Sequence, residues 1–187
     1  FMELKNILNK YKILGVLSNY ESNISENKLV KTILKDNYDK KLKLVGLSDN
    51  ILNKKYKGLT LSEKFKVDLL TKINNKIIII GGLSTSLNYK DRIFIKKLLL
   101  KISNNYDKKI IIIDDQAKEL MDICRYFIVI KNKKIVYKTN DIYDENLYKY
   151  VSIPPIIEFV KCIQNKGIKM DNYTDTYELL KAIYRSI

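Results

Sequence analysis

Two isoleucine runs, residues 76–80 and 109–113, constrain this chain more than anything else in it. Each places four isoleucines in succession behind a lysine. An unbroken β-branched run with no polar alternation predicts a strand covered on both faces, as in a parallel sheet. Residues 88–103 between them have helical spacing. A strand-helix-strand unit crosses over with a right hand and puts both strands in one parallel sheet. The expected fold is therefore α/β, a parallel sheet flanked by helices.

The remaining elements follow from local signals. Residues 13–17 read as a further buried strand, followed by turn formers at 18–23. Ser25 is placed to cap a helix carrying Leu29, Val30, Ile33 and Leu34, and a short helix at 40–45 ends at Gly46. Thr60 and Glu63 have the spacing of a capping box, which predicts a helix through Val67, Leu69, Leu70 and Ile73. Residues 116–123 read as a helix, with Asp114 or Asp115 as its cap. Segments 127–130 and 134–137 flank Asn132, a residue suited to positive φ, and predict a β-hairpin. Further helices are expected near 142–151, from Pro155 to Asn165 with Gly167 beyond its end, and from Thr176 onward, burying Leu179, Leu180 and Ile183.

Composition excludes several classes of function. The 187 residues contain no histidine, which removes histidine catalysis, and two cysteines fit neither a disulfide framework nor a metal site. No apolar run reaches the roughly 18 residues that a membrane span requires. The opening residues lack the basic-then-apolar order of a signal peptide, so the expected compartment is the cytoplasm, with a membrane-peripheral position open to it. A net charge of +14, from 35 basic and 21 acidic residues, favours nucleic acid or an anionic membrane surface as partner. Abundant Lys, Asn, Ile and Tyr together are also what an AT-rich genome writes into any protein.

Taken in order, the segments resemble the ATP-binding subunit of ABC transporters of the energy-coupling-factor (cobalt) kind. Residues 14–23 are similar to that family's Q-loop strand and the Asn-Pro-Glu-Ser-Gln run after it, with Ser18 at the glutamine position. Leu59-Thr60-Leu61-Ser62-Glu63-Lys64 stands at the place of the signature Leu-Ser-Gly-Gly-Glu-Lys. Residues 77–80 resemble the Walker B strand, followed by Gly81 and Gly82 in place of Asp-Glu. Asn88 falls at the D-loop aspartate and Asp115 at the switch histidine. The hairpin from Cys124 to Val136 follows the family closely, and the tail from Ile153 resembles its C-terminal helical extension.

Together these similarities imply a truncated P-loop ATPase-like domain over 1–140, with a helical subregion at about 25–75, and a helical extension over 141–187. The chain contains no Gly-Lys pair, so the phosphate-cradling Walker A pattern is missing from it. Gly81-Gly82 reads as a tight strand exit rather than a phosphate loop. Thr60 and Ser62 keep hydroxyls in the signature region, but Leu61 puts a side chain where backbone would have to approach a phosphate. The degenerate positions Ser18, Thr60, Leu61, Ser62, Gly81, Gly82, Asn88 and Asp115 thus carry the expectation of a protein that is not an enzyme and has no cofactor or metal. Its expected role is as a binding or regulatory partner of an ABC-type ATPase, of a membrane coupling protein, or of itself as a homodimer. The alternative is a basic nucleic-acid-binding protein on a remodelled ATPase scaffold.

Overall fold

The computed structural model describes residues 14–17, 24–105 and 108–186, and the chain divides into two compact units, Phe1–Asp115 and Gln116–Ile187. In the first, β1 (Leu14–Leu17), β2 (Ile77–Gly81) and β3 (Lys109–Ile113) form a parallel sheet in the order β1-β2-β3. The register pairs Leu14 with Ile77 and Ile77 with Lys109, and runs on to Gly81 opposite Ile113. Five helices accompany it among the described residues: α1 (Val30–Leu34), α2 (Tyr38–Val45), α3 (Leu61–Lys72), α4 (Leu83–Ser86) and α5 (Tyr89–Asn105).

Local chemistry sets the ends of these helices. The α3 capping box is complete: Thr60 Oγ1 accepts from the Glu63 amide at 3.2 Å, and the Thr60 amide donates to the Glu63 carboxylate at 2.7 Å. Helix α2 ends at Gly46, whose φ of 64° is costly for any side chain. A Cβ there would also meet the tip of the Phe94 ring at 3.3 Å, so the ring would have to shift slightly as well.

Three expectations are corrected in this unit. Coverage falls from β2 to β3: Ile78 and Ile80 on β2 are fully buried, whereas Ile111 and Ile113 on β3 are 48% and 61% exposed. Strand β3 has no neighbour beyond it among the described residues, and no layer covers Ile111 and Ile113. Ser25 does not cap α1: residues 26–28 turn, with the Lys28 amide donating to the Ser25 carbonyl, and Leu29 is bridged to Lys55. The helix starts only at Val30, after those backbone bonds are made. Asp114 caps no helix over 116–123; its carboxylate binds Ser84 instead.

The second unit holds an antiparallel hairpin of β4 (Phe127–Lys131) and β5 (Lys134–Thr139), then α6 (Pro155–Asn165) and α7 (Thr176–Ser186). Asn132 and Lys133 both take positive φ, 51° and 61°, the turn whose twist matches a two-residue hairpin. Pro155 opens α6, where its missing N–H costs nothing, and the Asp175 carboxylate accepts from the amides of Tyr177 and Glu178 at the start of α7.

Two expected helices are replaced here by shorter turns. Residues 116–123 form two 3-10 turns, Ala117–Glu119 and Met121–Ile123, held by buried Leu120 and Met121. Between 142 and 151 only Leu147–Lys149 is helical. Asp141 and Asp144 accept from the amides of Tyr143 and Asn146, two residues on, and this local bonding competes with helix. A third correction is in α7, which buries Leu179 but leaves Leu180 exposed. Two tyrosines tie the backbone of this unit together: Tyr148 donates to the Ile142 carbonyl and Tyr143 to that of Tyr173. Burial pushes the Tyr148 phenol up to about 12.

Candidate functional site

Strand C-termini of a parallel sheet are where α/β proteins place their chemistry. In this chain β2 and β3 end together. The Gly82 amide donates to the Ile113 carbonyl at 3.0 Å, and Gly82 turns away with φ 63° into α4. The Asp114 carboxylate reaches across to Ser84, accepting from its backbone amide at 2.8 Å and from its hydroxyl in a short bond. A carboxylate at the second position of α4 satisfies a free amide and opposes the positive end of the peptide dipoles. Asp115, one residue on, is exposed.

A second cluster lies where α3 meets α5. Ser62 and Lys66 stand one turn apart on α3, and both reach Asp91 in the first turn of α5. Lys66 Nζ lies 2.5 Å from Asp91 Oδ1, while the Ser62 hydroxyl makes a short bond to Oδ2. Asn88 completes the group: its amide nitrogen donates to Asp91 Oδ2 at 2.7 Å and its carbonyl oxygen accepts from the Asp91 backbone at 2.9 Å. The Lys66 side chain is buried, with its ammonium 5.8 Å from the centre of the Phe94 ring. Burial works to raise the Asp91 carboxyl, but the bonds from Lys66 and Ser62, with the charge of Lys66, outweigh it and leave the group below its ordinary value.

The structure thus brings Ser62 and Asn88 onto one carboxylate. Thr60 is committed to its own helix cap, and Leu61 beside it is exposed. Gly81 and Gly82 sit apart from these at the strand exit. Ser18 lies outside the described residues. Sequence reasoning missed Lys66 and Asp91. The available signals were the four-residue spacing of Ser62 and Lys66 and the three-residue spacing of Asn88 and Asp91. Among the described residues, no group of three or more His, Cys, Asp or Glu comes together as a metal site would require.

Parallel strands joined through α5, a helical subregion between β1 and β2, and a hairpin after β3 make up the cassette fold of the ABC ATPases, here in a reduced form. CbiO1 from Clostridium perfringens, described as part of the ABC transporter complex CbiONQ, superposes with a TM-score of 0.63 at 16% identity. That match covers 85% of this chain and 66% of CbiO1, so the chain spans just under two thirds of that cassette's length. A bacterial ABC transporter cassette solved as a dimer gives a TM-score of 0.61 at 14% identity, over 72% of this chain and 66% of that one. A metal-chelate-type ABC transporter in an inward-facing conformation gives 0.57 at 12%, over 74% and 63%. No protein-family model and no curated protein matches the sequence.

These likenesses correct the expectation that the chain is not an enzyme. The folds it shares are those of ATP-binding cassettes, one of them described in a post-hydrolysis state bound to ADP and Pi. What this chain shares with those structures is the fold, at 14–16% identity. No helix among the described residues is long and apolar enough to cross a membrane.

Proposed function

We propose that this chain is an ABC-ATPase-related protein of the energy-coupling-factor kind that acts as a binding or regulatory partner in a cassette assembly, pairing with a second cassette-like chain. The exposed face of β3 carries this reading. Ile111 and Ile113 lie largely in water on the same side of the sheet as half-buried Ile77 and Ile79. An apolar strand face left open at a sheet edge favours association. The hydroxyl of Ser62 and the amide of Asn88 are meanwhile engaged within the chain, both on Asp91.

A second copy of this chain is the simplest such partner, and the dimeric cassette among the structural neighbours supports pairing as a mode for this fold. Sedimentation equilibrium of the purified protein tests it. A dimer that Ile113→Lys weakens by roughly tenfold or more, as the loss of one buried aliphatic contact implies, is the expected result. A monomer at every concentration for both proteins would sink homodimerisation. The second reading, nucleic-acid binding, is favoured by the +14 charge. It requires duplex or single-stranded binding that falls steeply with salt in a mobility-shift titration.

A further inference from the structure

The β4–β5 hairpin has two unlike faces. Its inner face carries Phe127, Val129, Tyr137 and Thr139, all half-buried. Tyr137 fixes that face within the second unit: its ring stacks on Tyr150 at 5.7 Å between centroids, and its hydroxyl donates to Asp144 in a short bond. The outer face carries Ile128, Ile130 and Ile135, which are 58%, 66% and 57% exposed. Ile130 stands directly across from Ile135, and Ile128 across from Lys138. The irregularity between Val129 and Ile130 keeps the three isoleucines on one side.

Cations surround this apolar patch. Lys131, Lys133 and Lys134 form the exposed tip and Lys138 lies on the outer face. No acidic residue occurs between Asp122 and Asp141. Tyr126, two residues before Ile128, is exposed as well. Aliphatic side chains ringed by lysines, with a tyrosine at the margin, match the layering of a bilayer surface, where chains, interface and anionic headgroups follow one another within a few ångströms. A polyphosphate backbone would use the lysines and gain nothing from three isoleucines, which lack the flat π-face that bases stack on.

We propose that the outer face of the β4–β5 hairpin is a docking surface for an anionic membrane, with Ile128, Ile130 and Ile135 entering the headgroup region and Lys131, Lys133, Lys134 and Lys138 meeting lipid phosphates. The surface belongs to the second unit alone and stands independently of the pairing through β3.

Vesicle flotation tests it with two compositions, phosphatidylcholine alone and phosphatidylcholine with phosphatidylglycerol in equal parts. The intact chain floats with the anionic vesicles and not with the neutral ones, and raising salt releases it. Ile130→Thr with Ile135→Thr keeps β-propensity and every charge, and lowers the partition about tenfold. Replacing Lys131, Lys133 and Lys134 by Gln lowers it about fivefold per lysine, whereas replacing them by Arg preserves it. Circular dichroism of each variant matches the parent, because the altered side chains are exposed. Equal flotation with both vesicle types overturns the proposal. So does indifference to either set of substitutions, or binding to duplex DNA with no binding to anionic vesicles.

Discussion

At the residue scale, Asp91 gathers bonds from Lys66, Ser62 and Asn88. Removing its charge leaves Lys66 buried without its counter-ion, which in a fully buried pair costs about 3–5 kcal/mol. The Asp91 side chain keeps 23% of its surface in water against 7% for Lys66. A discounted loss of about 2 kcal/mol is therefore expected for Asp91→Asn in urea unfolding at neutral pH. Lys66→Met should cost less, since Asp91 retains Ser62, Asn88 and solvent. The pH dependence has a definite sign. A carboxyl depressed on folding stabilises the protein above its unfolded value of 3.8, and that stability is lost as pH falls below 3.8 through the folded value. The gap between the parent and Asp91→Asn should accordingly close in acid; a gap that widens there contradicts the ion pair.

At the element scale, what was legible in the sequence is what is made within one turn of chain. The Thr60–Glu63 box, the Gly46 stop, Pro155 at the head of α6 and the Asn132 turn each depend on residues three or four apart, and each is found. Helices expected at 116–123 and 142–151 failed because Asp side chains bound nearby amides, or because two buried residues anchored tighter turns. The pairing of Lys66 with Asp91 was not legible for a different reason: they are 25 residues apart, and local spacing on α3 and on α5 does not say that the two helices meet. The hairpin turn supplies a test. Lys133 holds φ at 61°, where an L-residue pays about 1 kcal/mol that glycine does not. Lys133→Gly should raise the urea midpoint, offset by glycine's greater freedom when unfolded, for a net gain of a few tenths of a kcal/mol. A fall in the midpoint would show that the lysine stem contributes packing that its exposed position does not suggest.

At the scale of the whole molecule, the parallel sheet was legible from two isoleucine runs, but the exposure of Ile111 and Ile113 on β3 was not. A run of four isoleucines looks the same whether one face or both is covered, and only the order β1-β2-β3 puts Ile111 and Ile113 at an open edge. Charge acts at this scale too. With 35 basic residues against 21 acidic, the excess positive charge repels itself, and that repulsion favours the expanded chain. The ion pairs on the surface, such as Lys41–Asp36 and Lys181–Glu178, are exposed and worth little singly. Salt weakens both terms, but repulsion among an excess of +14 reaches further than any contact pair and is screened first, as the Debye length falls from about 30 Å at 0.01 M to about 8 Å at 0.15 M. Thermal unfolding across that range should therefore move upward by roughly 2–4 °C, the shift that about 1 kcal/mol produces in a chain of this size. Sodium chloride and sodium sulfate at matched ionic strength separate screening from specific anion binding: equal shifts indicate screening alone, and a larger shift with sulfate indicates a bound anion or a salting-out contribution. A midpoint that falls with salt would mean that the ion pairs, not the excess charge, dominate the electrostatics of this fold.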